Sequence, residues 1–368
     1  MSARAQTIPK HHASATRRIA FVVPSVASAR QLHAPLFEAI TGLGHMVLCL
    51  VPAGDPDSAE DLNAETGTYD AKPEGWSFLQ NKRAVQGLAD VLKDWRAHMV
   101  VSAGPDIARL TGLACERAGI AQHIALVTEH IDGAQAGTAQ TWREALSASS
   151  SAIFFNHDDR QSALKSGLLA KTLLASVVPG PGLDLVAQSP LALPDTANGM
   201  VFMMHTAPGQ PGNTKIMLEA AAAITAANPT ASILVSGLAP GKQDALPSRV
   251  TRIADETTDL RPALAQCHVF IHIANRDGIA MPVLAALAAG RPVITTDTPG
   301  CRDTVDDLVN GCLVEPGSAG PLVRAMNIFI AQPSLLNAAA RASRLKAERW
   351  FDQRDINRRW LEALTLKV

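Results

Sequence analysis

The chain has no excess of charge of either sign, because 33 lysine and arginine residues stand against 34 aspartate and glutamate residues in 368. It also has no long basic run, and its aromatic residues are not interleaved with basic ones. Nucleic-acid-binding surfaces usually carry clustered positive charge. The sequence therefore argues against nucleic acid as a partner.

Long apolar runs are missing too. No apolar stretch reaches the roughly 18 residues that a spanning helix needs, since Gly, Pro or charge interrupts each candidate. Residues 17–29 combine Arg17-Arg18 with a short apolar stretch and small residues, as export signals do. Pro24 breaks that stretch and a helical pattern follows, so we predict a buried first strand behind a flexible tail over residues 1–17.

Cysteine is scarce, and its spacing offers no pair. The chain contains no C-x-x-C motif, and an odd number of cysteines lies mostly inside apolar runs: Cys49, Cys115, Cys267, Cys301 and Cys312. This usage is typical of buried, reduced thiols in a reducing compartment. We therefore predict a cytoplasmic protein.

Common ligand-binding motifs are absent as well. After Val23 the chain reads PSVASARQ, without the glycines that a dinucleotide-binding turn needs. The segment GLAPGK (237–242) is one residue short of a Walker loop and lacks the Ser or Thr that follows it. The acidic pair in Asp55-Pro56-Asp57 lies among turn residues, which favours a solvated turn over a metal site.

What the chain does have is 47% hydrophobic and 18% charged residues, enough apolar surface for a folded core, and a length suited to two domains. Short apolar runs alternate with helical patterns, as in parallel α/β sheets. In the first half the predicted strands are 19–23, 46–51, 98–104, 123–129 and 151–156, with helices at 34–44 and 107–119.

The second half repeats the alternation after a segment rich in Pro and Gly at 177–198, which we interpret as a linker. Its predicted strands are 200–205, 231–237, 268–273 and 291–297, with helices at 215–228 and 283–290.

The predicted fold class is therefore α/β, with two doubly wound, Rossmann-like domains that face each other across a cleft. Open α/β sheets bind ligands at the carboxyl ends of their strands, which places the expected site between the domains. We predict a first domain over 18–180, a second over 181–345, and a C-terminal helix within 346–368 that packs back on the first domain.

One run carries a family resemblance. Residues 290–317, GRPVITTDTPGCRDTVDDLVNGCLVEPG, combine a strand, a Pro-Gly turn, a helix expected near Arg302, and an Asn-Gly turn into another strand. Together with FFNHDDR (154–160), VVPGPGLDL (177–185) and APLFEAITGLGH (34–45), this run resembles glycosyltransferase family 4, in particular its bacterial surface-polysaccharide members.

The resemblance implies the two-domain GT-B architecture and a retaining glycosyltransferase, specifically a hexosyltransferase. Such an enzyme would move a sugar from a nucleotide-sugar donor to a lipid-linked or glycan acceptor in exopolysaccharide or lipopolysaccharide biosynthesis. The implied partners are the nucleotide-sugar and that acceptor, with peripheral contact at the inner face of the cell membrane. No cofactor and no metal is expected, because side chains and helix N-termini hold the diphosphate in this fold.

Matched residue by residue, the paired glutamates of the family fall on Asp277 and Ala285. Asp277 keeps a carboxylate that could accept hydrogen bonds from sugar hydroxyls and is a predicted catalytic residue. At Ala285 the group that grips the ribose is lost. Gly278 matches the family glycine, whose missing side chain lets backbone N–H groups at Gly278 and Ile279 approach the sugar.

The Arg and Lys that clamp the diphosphate in the family fall on Ala207 and Gly212, so both cations are absent. Each charge-assisted hydrogen bond of this kind contributes about 1.5 to 3 kcal/mol. The nearby cations that could replace them are Lys215 and Arg276.

In the first domain, TEHIDG (128–133) follows a strand and resembles the family's histidine-bearing loop. His130 is the second predicted catalytic residue, next to the donor sugar, whereas a structural histidine is the alternative. Glu129 and Asp132 are predicted on the acceptor side, with solvated loop charges as the alternative.

Two other functions stay open. A catalytically degenerate member could keep the fold and act as a binding or regulatory partner, as the losses at Ala285, Ala207 and Gly212 suggest. A nucleotide-sugar epimerase shares the two-domain architecture, but the run at 290–317 does not resemble one.

Overall fold

The structure is a computed structural model that describes residues 16–70, 78–128, 131, 136–206, 211–238, 246–253, 259–274 and 278–366. The strands and helices of both domains, as counted below, are those within these residues. They form two α/β domains, each built on one parallel sheet.

The first sheet has seven parallel strands in the order β3-β2-β1-β4-β5-β6-β7. Successive residues of a strand point to opposite faces, so a strand covered on both faces must be apolar throughout. Ile19 and Phe21 belong to the core on one face, and Ala20 and Val22 to the core on the other. The strands are β1 (Arg18–Val22), β2 (Met46–Pro52), β3 (Glu65–Tyr69), β4 (Met99–Ala103), β5 (Gln122–Val127), β6 (Ser151–Phe154) and β7 (Leu174–Val177).

Six helices accompany this sheet: α1 (Val26–Leu32), α2 (Ala34–Gly42), α3 (Phe78–Asp94), α4 (Pro105–Ala118), α5 (Ala136–Ser147) and α6 (His157–Lys165). Apolar residues of α1 and α2 cover one face, while α3 and α4 contribute to the core on the other. Helix α1 begins where the Ser25 hydroxyl accepts from the Ser28 N–H and Asp55 Oδ2 accepts from the Val26 N–H at 3.1 Å. The Asp55-Pro56-Asp57 segment thus forms a turn that caps a helix.

The second sheet has six parallel strands in the order β10-β9-β8-β11-β12-β13. They are β8 (Val201–His205), β9 (Ser232–Ser236), β10 (Val250–Arg252), β11 (Val269–His272), β12 (Val293–Thr296) and β13 (Gly311–Val314). Gly311 allows β13 to approach β12, since a Cβ there would lie 1.7 Å from the Val293 carbonyl oxygen.

The helices of the second half are α7 (Pro211–Ala227), α8 (Arg261–Leu264), α9 (Met281–Ala288), α10 (Ala319–Ala331), α11 (Leu336–Trp350) and α12 (Gln353–Ala363). Helices α7 and α10 supply apolar residues to the core on one face of the sheet, and α9 and α11 to the core on the other. The side chain of Arg291 is fully buried beside α9 and donates to five main-chain carbonyl oxygens.

The last helix, α12, belongs to the core of the first domain. Trp360 is fully buried there, and its Nε1–H donates to the Gly180 carbonyl oxygen at 3.1 Å. The indole also makes an edge contact with the His33 ring at 6.1 Å between centroids. Residue 346 lies inside α11, which packs on α9 of the second domain. The segment that packs on the first domain therefore begins at α12.

The chain crosses between the domains twice, and the two crossings are paired. The Leu183 N–H donates to the Phe351 carbonyl oxygen at 2.7 Å, and the Gln353 N–H donates to the Leu183 carbonyl oxygen at 3.0 Å. Gly182 lies so close that a Cβ there would be 2.6 Å from Gln353 Cα. The two connections therefore form one narrow bridge.

Some elements differ from the predictions. Strands β3, β7 and β10 were not predicted. The helix expected near Arg302 is a three-residue 3-10 turn (Arg302–Thr304) that ends because Val305 has extended backbone. All five cysteines are buried, and none of them forms a disulfide. Among the described residues, no helix has both the length and the apolar character required to cross a bilayer.

Candidate functional site

The carboxyl ends of the two sheets face each other. Asn156 follows β6, and its Nδ2 donates to the carbonyl oxygen of Gly278, which lies beyond β11, at 2.8 Å. Asp158 pairs with Arg302, which lies beyond β12, at 2.6 Å. Because residues that follow the strands of both sheets touch, the cleft lies at the edge where open α/β sheets bind ligands.

Asn156 is the centre of a buried network on the first-domain side and is 2% exposed. It is the N-cap of α6, where its Oδ1 accepts from the Asp159 N–H at 2.7 Å. Its Nδ2 group also donates to Asp159 Oδ2 at 2.5 Å. Ser, Thr, Asp and Asn are the residues that cap helices best, so local sequence dictates this geometry.

Asp159 connects this network to the loop that was predicted to bear catalytic groups. Its carboxylate is 1% exposed, and Oδ1 accepts from the Ile131 N–H at 3.4 Å. Ile131 is itself buried in the apolar core beside α5. A buried carboxylate thus holds the one described residue of the segment between Thr128 and Ala136.

The second-domain side has a matching network at the end of β11. The Thr296 and Thr298 hydroxyls both donate to the Ala274 carbonyl oxygen, at 2.5 and 2.9 Å. Asn213, near the start of α7, donates from Nδ2 to the Ile273 carbonyl oxygen at 3.1 Å. These three side chains are buried, and they fix the backbone at Ile273 and Ala274.

A group of charges lies beside the buried networks. The Arg302 guanidinium bonds Asp297 Oδ1 and Asp158 Oδ2, both at 2.6 Å, so it joins a second-domain and a first-domain carboxylate. Burial of its carboxyl group, followed by the nearby Asp158 carboxylate, raises the pKa of Asp303. The hydrogen bond to Asp297, followed by its charge and that of Asp158, raises the pKa of Arg302.

Two of the predicted donor-side residues, Gly278 and Ile279, form the second-domain wall of the cleft, where they contact the first domain, and a third, Ala285, lies on α9. Gly278 is buried, with its carbonyl on Asn156. The Ile279 side chain packs against the apolar cores of both domains and on Gly180, where a Cβ would lie 3.1 Å from Ile279 Cγ2. Ala285 packs among the apolar residues around α9.

Lys215 lies on α7 and is 78% exposed, with its Nζ 3.8 Å from Glu219 Oε1 one helical turn away. Exposed ion pairs at this spacing are weak, about 0.3–0.5 kcal/mol. An anion that reaches Lys215 would therefore compete easily with Glu219 for this ammonium group.

The other predicted site residues, namely Glu129, His130, Asp132, Arg276 and Asp277, lie outside the described residues. Their predicted roles stay predictions.

Sequence reasoning assigned no site role to Asn156, Asp159 or Asn213. For the first two a local signal existed in FFNHDDR, where an Asn before a helix and an Asp three residues later match an N-cap pattern. Nothing local indicates that the same Asn reaches a residue 122 positions away.

Comparisons with known proteins agree with this geometry. Residues 201–332 match the family model Glyco_trans_1_4, described as glycosyl transferases group 1. The chain is 27% identical over 99 residues to the "Putative glycosyltransferase EpsD" of Bacillus subtilis, covering 27% of this chain and 26% of that protein. It is 28% identical over 116 residues to the "Lipopolysaccharide core biosynthesis glycosyltransferase LpsE" of Rhizobium meliloti, covering 32% of this chain and 34% of that protein.

The alignments thus span about a quarter and about a third of these curated relatives. Among solved structures, Anabaena HepE in complex with UDP and glucose superposes with a TM-score of 0.75 at 17% identity, covering 94% of this chain and 99% of that one. The chain therefore has the two-domain GT-B fold, and residues 201–332 match glycosyl transferases group 1.

Proposed function

We propose that the protein is a retaining glycosyltransferase of the family 4 type, a hexosyltransferase that transfers a sugar from a nucleotide-sugar to a lipid-linked or glycan acceptor. The observation that carries this proposal is the position of the family match. Residues 201–332 run from β8 to the end of α10, so they include the wall of the cleft formed by Gly278, Ile279 and the network at Ala274. The relative named for lipopolysaccharide core biosynthesis, LpsE, supports a surface polysaccharide as the product class.

The donor would bind on this wall. A retaining transferase must neutralise a leaving diphosphate and stabilise an oxocarbenium-like centre. The N-terminus of α7 begins at Pro211, after the end of β8, and helix N-termini attract anions. Lys215 is on the same helix and could exchange Glu219 for a phosphate. This arrangement requires no metal ion.

The sugar and the acceptor would lie between Gly278 and the first-domain loop. In this proposal Asp277 accepts hydrogen bonds from donor-sugar hydroxyls, Arg276 adds positive charge, and His130 lies near the reacting carbon. Glu129 and Asp132 bind acceptor hydroxyls. Asp159 supports this loop, because its carboxylate accepts a hydrogen bond from the N–H of Ile131, which lies between His130 and Asp132 in the sequence. The reaction would take place at the inner face of the cell membrane, with the protein bound there peripherally.

One observation favours a second candidate, a degenerate member that binds its partner without catalysis. Helix α9 reads MPVLAALA and has no acidic residue, and Ala285 packs among apolar side chains where the family's second glutamate would grip the ribose. A protein of this kind would keep the fold and lose donor binding.

Calorimetric titration separates the two candidates. UDP, GDP, UDP-glucose, UDP-galactose, UDP-N-acetylglucosamine and GDP-mannose would be titrated into the wild type, into Asp277→Ala and into Lys215→Ala, with EDTA present. Lys171→Ala, an exposed lysine of the first domain, is the matched control. Binding of one nucleotide-sugar that Asp277→Ala and Lys215→Ala weaken, and Lys171→Ala does not, supports the transferase. No binding across the panel refutes it and favours the degenerate member.

A further inference from the structure

We propose that Asn156 is a positioning residue, which orients the Gly278–Ile279 peptide and thereby controls how tightly the protein holds the sugar part of a nucleotide-sugar. This inference rests on the proposed function, since it assigns Gly278 and Ile279 to the donor sugar. It places a determinant of donor binding in the first domain, across the cleft from the donor wall.

The amide of Asn156 has only one orientation that satisfies its neighbours. Its oxygen side faces the Asp159 N–H at 2.7 Å, and its nitrogen side faces two oxygens, Gly278 O at 2.8 Å and Asp159 Oδ2 at 2.5 Å. A flipped amide would put oxygen against two acceptors and NH2 against a donor. Both hydrogens of the Asn156 amide are therefore used in hydrogen bonds, one to Asp159 in the same domain and one to Gly278 in the other domain.

The direction of the Gly278 carbonyl sets the direction of the next N–H. The peptide bond is planar, and the described chain contains no cis peptide, so the Ile279 N–H points away from the carbonyl of Gly278. Asn156 holds that carbonyl toward the first domain. The Ile279 N–H therefore points in one fixed direction, away from the Asn156 amide.

The rest of Ile279 is held as well. Its side chain packs on Gly180 and against the apolar cores of both domains, so the Gly278 carbonyl and the Ile279 side chain are both held in place. The Arg302 pair with Asp158, two residues after Asn156, keeps the same helix turn against the second domain. An N–H whose direction is set in advance costs little reorganisation when it donates to a sugar hydroxyl.

The variant that tests this role is Asn156→Ser. Serine also caps helices, so α6 keeps its N-cap, but the shorter side chain cannot reach the Gly278 carbonyl. Asn63→Ser is the matched control, because Asn63 is exposed and, among the described residues, its Nδ2 bonds only the Thr41 hydroxyl, at 2.9 Å. Two quantities are measured in each protein. The first is the affinity for UDP and for UDP-glucose, or for whichever nucleotide and nucleotide-sugar the wild type binds best. The second is the rate of amide hydrogen exchange in the proteolytic fragment that contains Ile279.

For Asn156→Ser we expect affinity for the nucleotide-sugar to fall about tenfold, as for one lost hydrogen bond, while affinity for the free nucleotide changes less than twofold. In the absence of any ligand, amide hydrogen exchange in the fragment that contains Ile279 should become faster. Asn63→Ser should match the wild type in both measurements.

Equal loss of nucleotide and nucleotide-sugar affinity would overturn the positioning role, since it would indicate a general effect on the domain arrangement. Unchanged amide exchange would also overturn it. If the wild type binds no nucleotide, the proposed function fails, and faster exchange in Asn156→Ser still supports the orientation of the peptide by Asn156.

Discussion

His33 is fully buried where α1 meets α2, and neither ring nitrogen has a hydrogen-bond partner among the described residues. Its neighbours are the aromatic rings of Phe21, Phe37 and Trp360 at 5.4, 6.1 and 6.1 Å between centroids. An imidazolium in this apolar site would lose its hydration without gaining a partner, so burial lowers the pKa of His33 from 6.5 to about 4.

This depressed pKa predicts a loss of stability in acid. Above pH 6.5 the histidine is neutral in both the folded and the unfolded chain, and its contribution is fully present. As the pH falls from 6.5 toward 4, His33 binds a proton in the unfolded chain but not in the folded chain, so the folded state loses stability. The free energy of unfolding should fall by about 2 kcal/mol at pH 5 and by about 3 kcal/mol below pH 4.

The test is urea unfolding, followed by far-UV circular dichroism, of the wild type and His33→Leu at pH 8, 7, 6 and 5. Leucine fills the site without a titrating group, and the His33 side chain makes no capping hydrogen bond that would be lost. The difference in unfolding free energy between variant and wild type should grow in favour of the variant by about 2 kcal/mol between pH 8 and pH 5.

Because variant and wild type are compared at the same pH, the contributions of the other titrating groups cancel. These include His45, His123 and His268, whose pKa values burial also lowers. A core substitution without a titrating group serves as the control: for Phe329→Leu the difference from the wild type should stay constant with pH. If the difference between His33→Leu and the wild type stays constant with pH, the buried ring is not the source of acid sensitivity and the reasoning is refuted.

Three further predictions concern the scaffold, and urea unfolding checks each of them. Arg291→Leu should destabilise the protein by about 3 kcal/mol or more, because five carbonyl oxygens lose their donor in a buried site; a loss below about 1 kcal/mol would contradict this. Trp360→Phe keeps an aromatic ring but removes the donor to the Gly180 carbonyl, and should cost about 1–3 kcal/mol, whereas an unchanged midpoint would mean that water replaces the indole N–H. Gly311→Ala should cost about 3 kcal/mol or prevent folding, since the new methyl would overlap the Val293 carbonyl; wild-type stability would show that β13 can move away.

Much of the fold could be predicted because its inner strands are buried on both faces. Runs such as those of β1, β8 and β11 are apolar at nearly every position, which distinguishes them from the helices between them. Strand β3 was missed because ETGTY lies at the sheet edge and is mostly exposed, so it carries no apolar signal. Strand β10, also at an edge, is only three residues long.

The site was less accessible to sequence reasoning. Gly278 and Ile279 were predicted as site residues from the family resemblance, because the family motif that they match is a local segment of one domain. The contact of Asn156 with Gly278 joins residues 122 positions apart, and the pair of Asp158 with Arg302 joins residues 144 apart. Contacts between domains depend on how two finished sheets meet, and no local pattern of residue types records that.

The paired crossings at Leu183 and Gln353 mean that the first domain is assembled from two distant parts of the chain. A fragment that ends at residue 180 would lack Ile356, Trp360 and Leu361, which fill its core from the far end of the sequence. During synthesis on the ribosome, the first domain therefore cannot complete its hydrophobic core until α12, near the end of the chain, has been made.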